Sequence, residues 1–159
     1  MEGFVVDGML GKLCRWLRML GYDTIYLRDN SDENILSFAK NSSRILLTRD
    51  FSLYRKTRKL GLKSTYINSG FIEDQLQQLY LEYGIRLTIP YEYSRCPICN
   101  TILRMGSRID VDGMIPENIK NSYENFWICD NCGKVYWVGS HWKDIQRKLG
   151  KVRSNLNKQ

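Results

Sequence analysis

Phe4-Val5-Val6-Asp7-Gly8-Met9-Leu10-Gly11-Lys12-Leu13-Cys14-Arg15-Trp16-Leu17-Arg18-Met19-Leu20-Gly21-Tyr22-Asp23-Thr24-Ile25-Tyr26-Leu27 changes its hydrophobic period twice. Phe4-Val5-Val6 is a short apolar run that ends on Asp7, whereas Leu10, Leu13, Cys14, Leu17 and Leu20 recur at helical spacing and stop at Gly21. Thr24–Leu27 then reads as a second strand. Ser31 can cap a helix reaching Lys40, with Ile35, Leu36 and Ala39 inward. Arg44–Thr48 reads as a third strand, again followed by an acid, Asp50. A basic helix over 51–60, a strand over 64–67, a helix over 73–83 and a last strand over 85–89 continue the alternation. Strand–helix repeats of this length imply right-handed crossovers and a parallel sheet, so the expected class is α/β, a parallel sheet flanked by helices. Pro90 ends the pattern, which sets a first domain at 1–93.

Four of the five cysteines form two matched pairs, Cys96-Pro97-Ile98-Cys99 and Cys129-Asp130-Asn131-Cys132. Two residues between cysteines let both sulfurs converge on one ion at about 2.3 Å, and two such knuckles complete a tetrahedral site. Pro97 stiffens the first knuckle, and Gly133 supplies freedom just after the second. In a reducing compartment this pattern favours a structural zinc ribbon, expected over 94–142, over disulfides or a redox dithiol. Within it, 104–109 and 135–138 have strand character, Asp112-Gly113 signals a hairpin turn and 118–125 reads as a polar loop. Cys14 sits alone in a helical pattern and reads as core. Residues 143–159 are expected to form a basic helix to Leu149 and then a frayed tail.

Composition narrows the partners. The 159 residues are 43% hydrophobic and 26% charged, an ordinary globular balance that excludes wholesale disorder. No apolar run approaches the ~20 residues that span a bilayer, so no membrane partner is expected. The N-terminus, Met1 to Asp7, lacks a basic, apolar and small-residue series, which places the chain in the cytoplasm as an expectation. The net charge is +7, of which +2 falls in 1–93 and +5 in 94–159. That asymmetry points to a polyanion held by the C-terminal third.

Ligands of an open parallel sheet collect outside the carboxyl ends of its strands. Asp7 follows the first strand, Asp50 the third, and Asp32 and Glu33 open the helix after the second, so all are delivered to one rim. Taken alone, each acid has a plainer reading, as a turn cap or a first-turn helix acid. Their conjunction favours a hard divalent cation, Mg²⁺ or Mn²⁺.

Several of these stretches resemble one family. Phe4 to Leu13, Arg15 to Thr24, Ile45-Leu46-Leu47-Thr48-Arg49-Asp50, Arg95 to Asn100, and Cys129 to His141 are similar to the Mut-seven C-terminal RNase family, in order, from residue 4 to about 142. The resemblance implies a PIN-like nuclease domain with an appended zinc ribbon and metal-dependent hydrolysis of RNA phosphodiesters. By the family's motif Asp7 and Asp50 correspond to metal-binding acids and Asp32 to the intervening one, with Glu33 as the neighbour that can replace it. The chain departs from the PIN pattern after Asp50: Phe51-Ser52-Leu53 offers a hydroxyl in place of a fourth acid, and Asp29 is the nearest substitute. That departure keeps open a noncatalytic alternative, a ribosome- or tRNA-associated module that binds RNA through the same surfaces.

Cationic and aromatic groups complete the expected site. Lys12, Arg15 and Arg18 recur on the first helix, and the planar fork of Arg49 beside Asp50 suits a phosphate. Arg55, Lys56, Arg58 and Lys59 read as a solvated face. Around the second knuckle, Trp127 and Tyr136 read as ribbon core, and His141, Trp142 and Lys143 as the RNA contacts.

Overall fold

Four of the five strands expected in the first domain form, all of them parallel. In the computed structural model, which describes residues 3–28 and 30–158, β1 (Phe4–Asp7), β2 (Thr24–Leu27), β3 (Ile45–Thr48) and β4 (Ser64–Tyr66) pair in the order β2-β1-β3-β4. Phe4 lies opposite both Thr24 and Ile45, and Leu46 opposite Ser64. A 3-10 turn, Gly8–Leu10, leads into α1 (Gly11–Met19); α2 (Asp32–Ser42), α3 (Phe51–Lys59) and α4 (Ile72–Tyr83) follow in turn.

The two central strands are buried along their whole length, as strands covered on both faces must be. Phe4, Val6, Ile45 and Leu47 pack with Leu13, Leu17, Leu76 and Leu79 of α1 and α4. Val5 and Leu46 point the other way, against Ile35 and Ala39 of α2 and Leu53 of α3. Right-handed crossovers demand this division, because the chain moves one way along the sheet from β1 to β2 and the other way from β2 to β3 to β4.

Residues 85–89 do not form the expected fifth strand. Ile85 and Leu87 are nevertheless buried in the α1 and α4 core, and the Arg86 N–H donates to the Tyr22 hydroxyl (2.7 Å). Their alternation therefore reports burial of an extended segment rather than sheet pairing.

The second unit is an antiparallel sheet, β5 (Arg104–Gly106), β6 (Phe126–Ile128) and β7 (Val135–Trp137), in that order. Gly106 faces Phe126 and Phe126 faces Trp137. Two expectations are corrected here. The polar stretch 118–125 contains α5 (Glu117–Ser122), and β6, which carries the centre of the sheet, was not foreseen. Val111, Phe126 and Ile128 make a small core under these strands.

The basic helix expected to stop at Leu149 runs on where a frayed tail was expected: residues 143–156 belong to α6 (Ser140–Leu156), which returns to the α/β body and packs on α4. Leu149 and Val152 are fully buried in the same core as Phe4 and Leu17, with Ile145 and Leu156 beside them. Among the described residues no helix is long and apolar enough to cross a membrane.

The ribbon joins the body at the amino-terminal rim of the parallel sheet. Arg18, 7% exposed, donates Nε–H to the Thr24 carbonyl (2.9 Å) and Nη1–H to the carbonyls of Pro97 (3.0 Å) and Ile98 (2.8 Å). The Asn100 amide donates to Asp23 (2.6 Å), and its oxygen accepts the Thr24 N–H (3.1 Å). Ser94 adds a bond to the Met19 carbonyl (3.0 Å). Burial raises the Asp23 pKa, but the bonds from Arg44 (2.6 Å) and Asn100 outweigh it, and its carboxyl lies below the usual range.

Candidate functional site

The topological switch of the sheet falls between β1 and β3, where the chain leaves β1 in one direction and β3 in the other. Asp7 and Thr48, the last residues of those strands, share the alternation of Val5 and Leu46 and so face α2 and α3. Thr48 donates its hydroxyl to Asp7 Oδ2 and accepts the N–H of Asp50 on the same oxygen (2.9 Å). Asp7 Oδ1 accepts the Met9 N–H (2.9 Å), which fixes the turn after β1. Asp50 caps α3, taking the N–H groups of Ser52 (2.7 Å) and Leu53 (3.1 Å) on Oδ1 alone. Both acids thus do the capping their plainer reading foresaw, and Asp50 still keeps Oδ2 without a donor among the described residues.

Asp7 is 5% exposed and has no cationic partner among the described residues; neutral donors alone hold it. A buried carboxylate in that position is expensive unless a cation is nearby. Gly8 follows because the chain passes close to the end of β2: a Cβ there would sit 2.4 Å from the Arg28 carbonyl.

Asp32 occupies the first turn of α2 behind the Ser31 cap, whose hydroxyl accepts the Asn34 N–H (3.3 Å). It pairs with Lys56 of α3 through Oδ2 (2.7 Å). That hydrogen bond and charge raise the Lys56 pKa, with Glu33 and Asp50 adding to the effect. Lys56, read from sequence as part of a solvated face, is therefore the cation among the acids. Asp7, Asp32 and Asp50 do not share one tight cluster: among the described residues, only the four cysteines bring three or more Cys, His, Asp or Glu ligand atoms within 4.8 Å of one another. Asp29 lies outside the described residues.

The cysteine centre is built by two equivalent turns. The N–H of Asn100 returns to the Cys96 carbonyl and that of Gly133 to the Cys129 carbonyl, both at 2.9 Å. Cys96 and Cys129 donate in turn to the carbonyls of Thr101 and Lys134, both at 2.8 Å. Asn100 (φ 71°) and Gly133 (φ 70°) hold matching left-handed positions, which glycine and asparagine tolerate best. Cys96 and Cys132 sulfurs lie 3.6 Å apart, and those of Cys99 and Cys129 3.2 Å apart. Sulfurs at about 2.3 Å from a tetrahedral ion would be about 3.8 Å apart, so the four thiols can hold a metal such as zinc with little movement. The Tyr136 hydroxyl lies 3.2 Å from Cys96 Sγ and supports it from outside the set. Burial works against the Cys99 thiolate, yet hydrogen bonds from Thr101 and Asn131 bring its pKa down to about 5. Burial pushes Cys14 up to about 11, as befits a core thiol.

The expected RNA contacts separate into three places. Lys12 and Arg15 are exposed along α1, and Arg49 is half-buried with its guanidinium against Gly70. Arg18 is buried and its donors are occupied by carbonyls of β2 and the first knuckle, so it joins the two units instead of facing a ligand. Its position four residues after Cys14, on the buried side of α1, was the signal for that role. His141 and Lys143 are exposed and Trp142 half-buried at the start of α6, by the ribbon. Thr48 and Asn100 were missed as partners, though each stands next to a motif residue.

No curated protein and no solved structure matches this chain. The model of one family, described as the Mut7-C RNAse domain, matches residues 2–149 of the 159, and the chain belongs to that family.

Proposed function

We propose that this protein is a metal-dependent ribonuclease whose reaction takes place between the ends of β1 and β3. The observation that carries the reading is Asp7: a buried carboxylate at the switch point, without a cationic partner among the described residues and bridged through Thr48 to the Asp50 N–H. Asp7, Asp50 and Asp32, or Glu33 in its place, would hold Mg²⁺ or Mn²⁺, which suit carboxylate oxygens. When bound, such an ion supplies Lewis acidity toward a phosphoryl oxygen and lowers the pKa of water. Thr48 keeps Asp7 oriented toward the rim, and the α3 cap holds Asp50 with one oxygen outward. Arg49 and Lys12 would pair with the phosphates flanking the cut. The ribbon, the exposed side of α1 and the start of α6 then bind the rest of the RNA.

A second reading, a noncatalytic RNA-binding module of ribosome- or tRNA-associated type, is favoured by the Lys56–Asp32 pair, which supplies a side-chain cation to the acids. One experiment separates them. End-labelled structured and unstructured RNAs are incubated with wild type, Asp7→Asn and Asp50→Asn, with Mg²⁺ or Mn²⁺ and with EDTA. The nuclease reading expects cutting that needs the divalent ion and disappears in both variants. Equal inertness, or equal activity, of all three proteins overturns it.

A further inference from the structure

Between the ribbon and the α/β body lies a cleft of about 500 Å³ at the end of α1 that is remote from Asp7. Met19, at the end of α1, Ser94, Arg95 and Pro97 of the junction, and His141 and Trp142 of α6 line it. We infer that this cleft receives an unpaired nucleobase of single-stranded RNA. The inference rests on RNA being the substrate and gives it an anchoring point remote from the acids.

Three properties of the walls select that occupant. Aromatic faces dominate: Tyr91 stacks on Trp127 (centroids 5.3 Å, planes 26° apart) and on Trp142 (5.9 Å, 25°), and Tyr91 is 49% exposed. A base would extend this ladder, and stacking of bases on aromatic side chains is the usual means of holding single strands. Secondly, the cleft contains no carboxylate, while Arg95 and His141 line it and Lys143 adjoins it. A quaternary ammonium or a basic peptide would call for acids beside the rings; a base carried on an anionic backbone calls for the cations that Arg95 and Lys143 supply. Thirdly, Arg95 is held in place where it lines the cleft: Nη1–H donates to the Asn100 carbonyl (2.9 Å), so the position of its charge is fixed before a ligand arrives.

The placement has a geometrical consequence. α1 starts at the acid rim and ends at the cleft, about 14 Å away for a helix of nine residues, with Lys12 and Arg15 exposed between them. A strand anchored in the cleft passes these two cations before it meets Asp7, so the cut falls a few nucleotides from the anchored base.

The test uses the full zinc-loaded chain and a decameric RNA with one 2-aminopurine. Saturable quenching of the 2-aminopurine on adding protein is expected, with Trp142→Ala about 5- to 150-fold weaker. Absence of quenching, or undiminished affinity of a zinc-loaded Trp142→Ala protein, overturns the inference. If Trp142→Ala does not retain zinc, a decamer bearing 4-thiouridine is photocrosslinked to wild type instead. Adducts on Tyr91 or Trp142 support the cleft, and adducts confined to other residues overturn it. Quenching without cleavage would defeat the nuclease reading alone, and cleavage without quenching would defeat the cleft alone.

Discussion

Thr48 performs two tasks with one oxygen, donating to the buried Asp7 and accepting from the Asp50 N–H. Thr48→Val keeps the shape and removes both. It is expected to lower stability by about 1–3 kcal/mol, because a buried carboxylate loses a donor, and to reduce RNA cleavage while the cysteine site keeps its zinc. Urea denaturation and a zinc assay on the same protein check it; unchanged stability would mean that Asp7 does not depend on this hydroxyl. Lys56 acts in the opposite sense. Its ammonium group holds Asp32 through Oδ2 in an exposed pair (2.7 Å), and a divalent ion held as proposed would compete with it for that carboxylate. Lys56→Met is therefore expected to lower the Mn²⁺ concentration giving half-maximal cleavage, with stability unchanged. A higher Mn²⁺ requirement would instead make Lys56 part of the machinery.

At the scale of elements, α6 decides what the C-terminal third is for. Ile145, Leu149, Val152 and Leu156 follow the i, i+4, i+7, i+11 spacing of a buried stripe, and Leu149 is fully enclosed. Leu149→Ala is expected to destabilise the whole protein by about 2–5 kcal/mol, read as a shift of the single unfolding transition. A helix that did not pack on the body would show no shift. The helix was legible as far as Leu149, but the basic residues between the later members of the stripe made the rest read as a frayed tail. Elsewhere the sequence was read well where one physical cause acts locally. β1 and β3 follow from their apolar runs, α2 from the Ser31 cap, and the knuckles from cysteine spacing alone. It was read badly where neighbours decide. Ile85 and Leu87 alternate like a strand but find a helical core and the Tyr22 hydroxyl instead of a pairing edge. Phe126–Ile128 is too short to announce itself, and only β5 and β7 on either side make it a strand. The acids at one rim were legible for the same reason as the knuckles, since strand ends in a parallel sheet point one way; the Lys56 partner was not, because it comes from a different helix.

For the molecule as a whole, the two ends of the parallel sheet have different work. Acids collect at the carboxyl ends of the strands, and the amino ends carry the ribbon through Arg18, Asn100 and Ser94. The bonds of Arg18 to the Pro97 and Ile98 carbonyls reach inside the first cysteine pair, so the shape of the metal knuckle and the seating of α1 on β2 depend on each other. α6 closes the circuit by returning from the ribbon to the core. Metal binding to such a centre is folding free energy, because the unfolded chain has no preformed site. Here that energy is expected to reach the α/β body as well as the ribbon. Removing zinc with a chelator should lower the temperature of one calorimetric transition involving the whole chain. In Arg18→Met, where three carbonyls lose a charged donor and stability falls by about 2–3 kcal/mol, the same treatment should split unfolding into two transitions, the ribbon melting first. Two transitions in the chelated wild-type protein, with the upper one unmoved, would show that the ribbon is carried by the body without supporting it, and Arg18 would then only tether the two units.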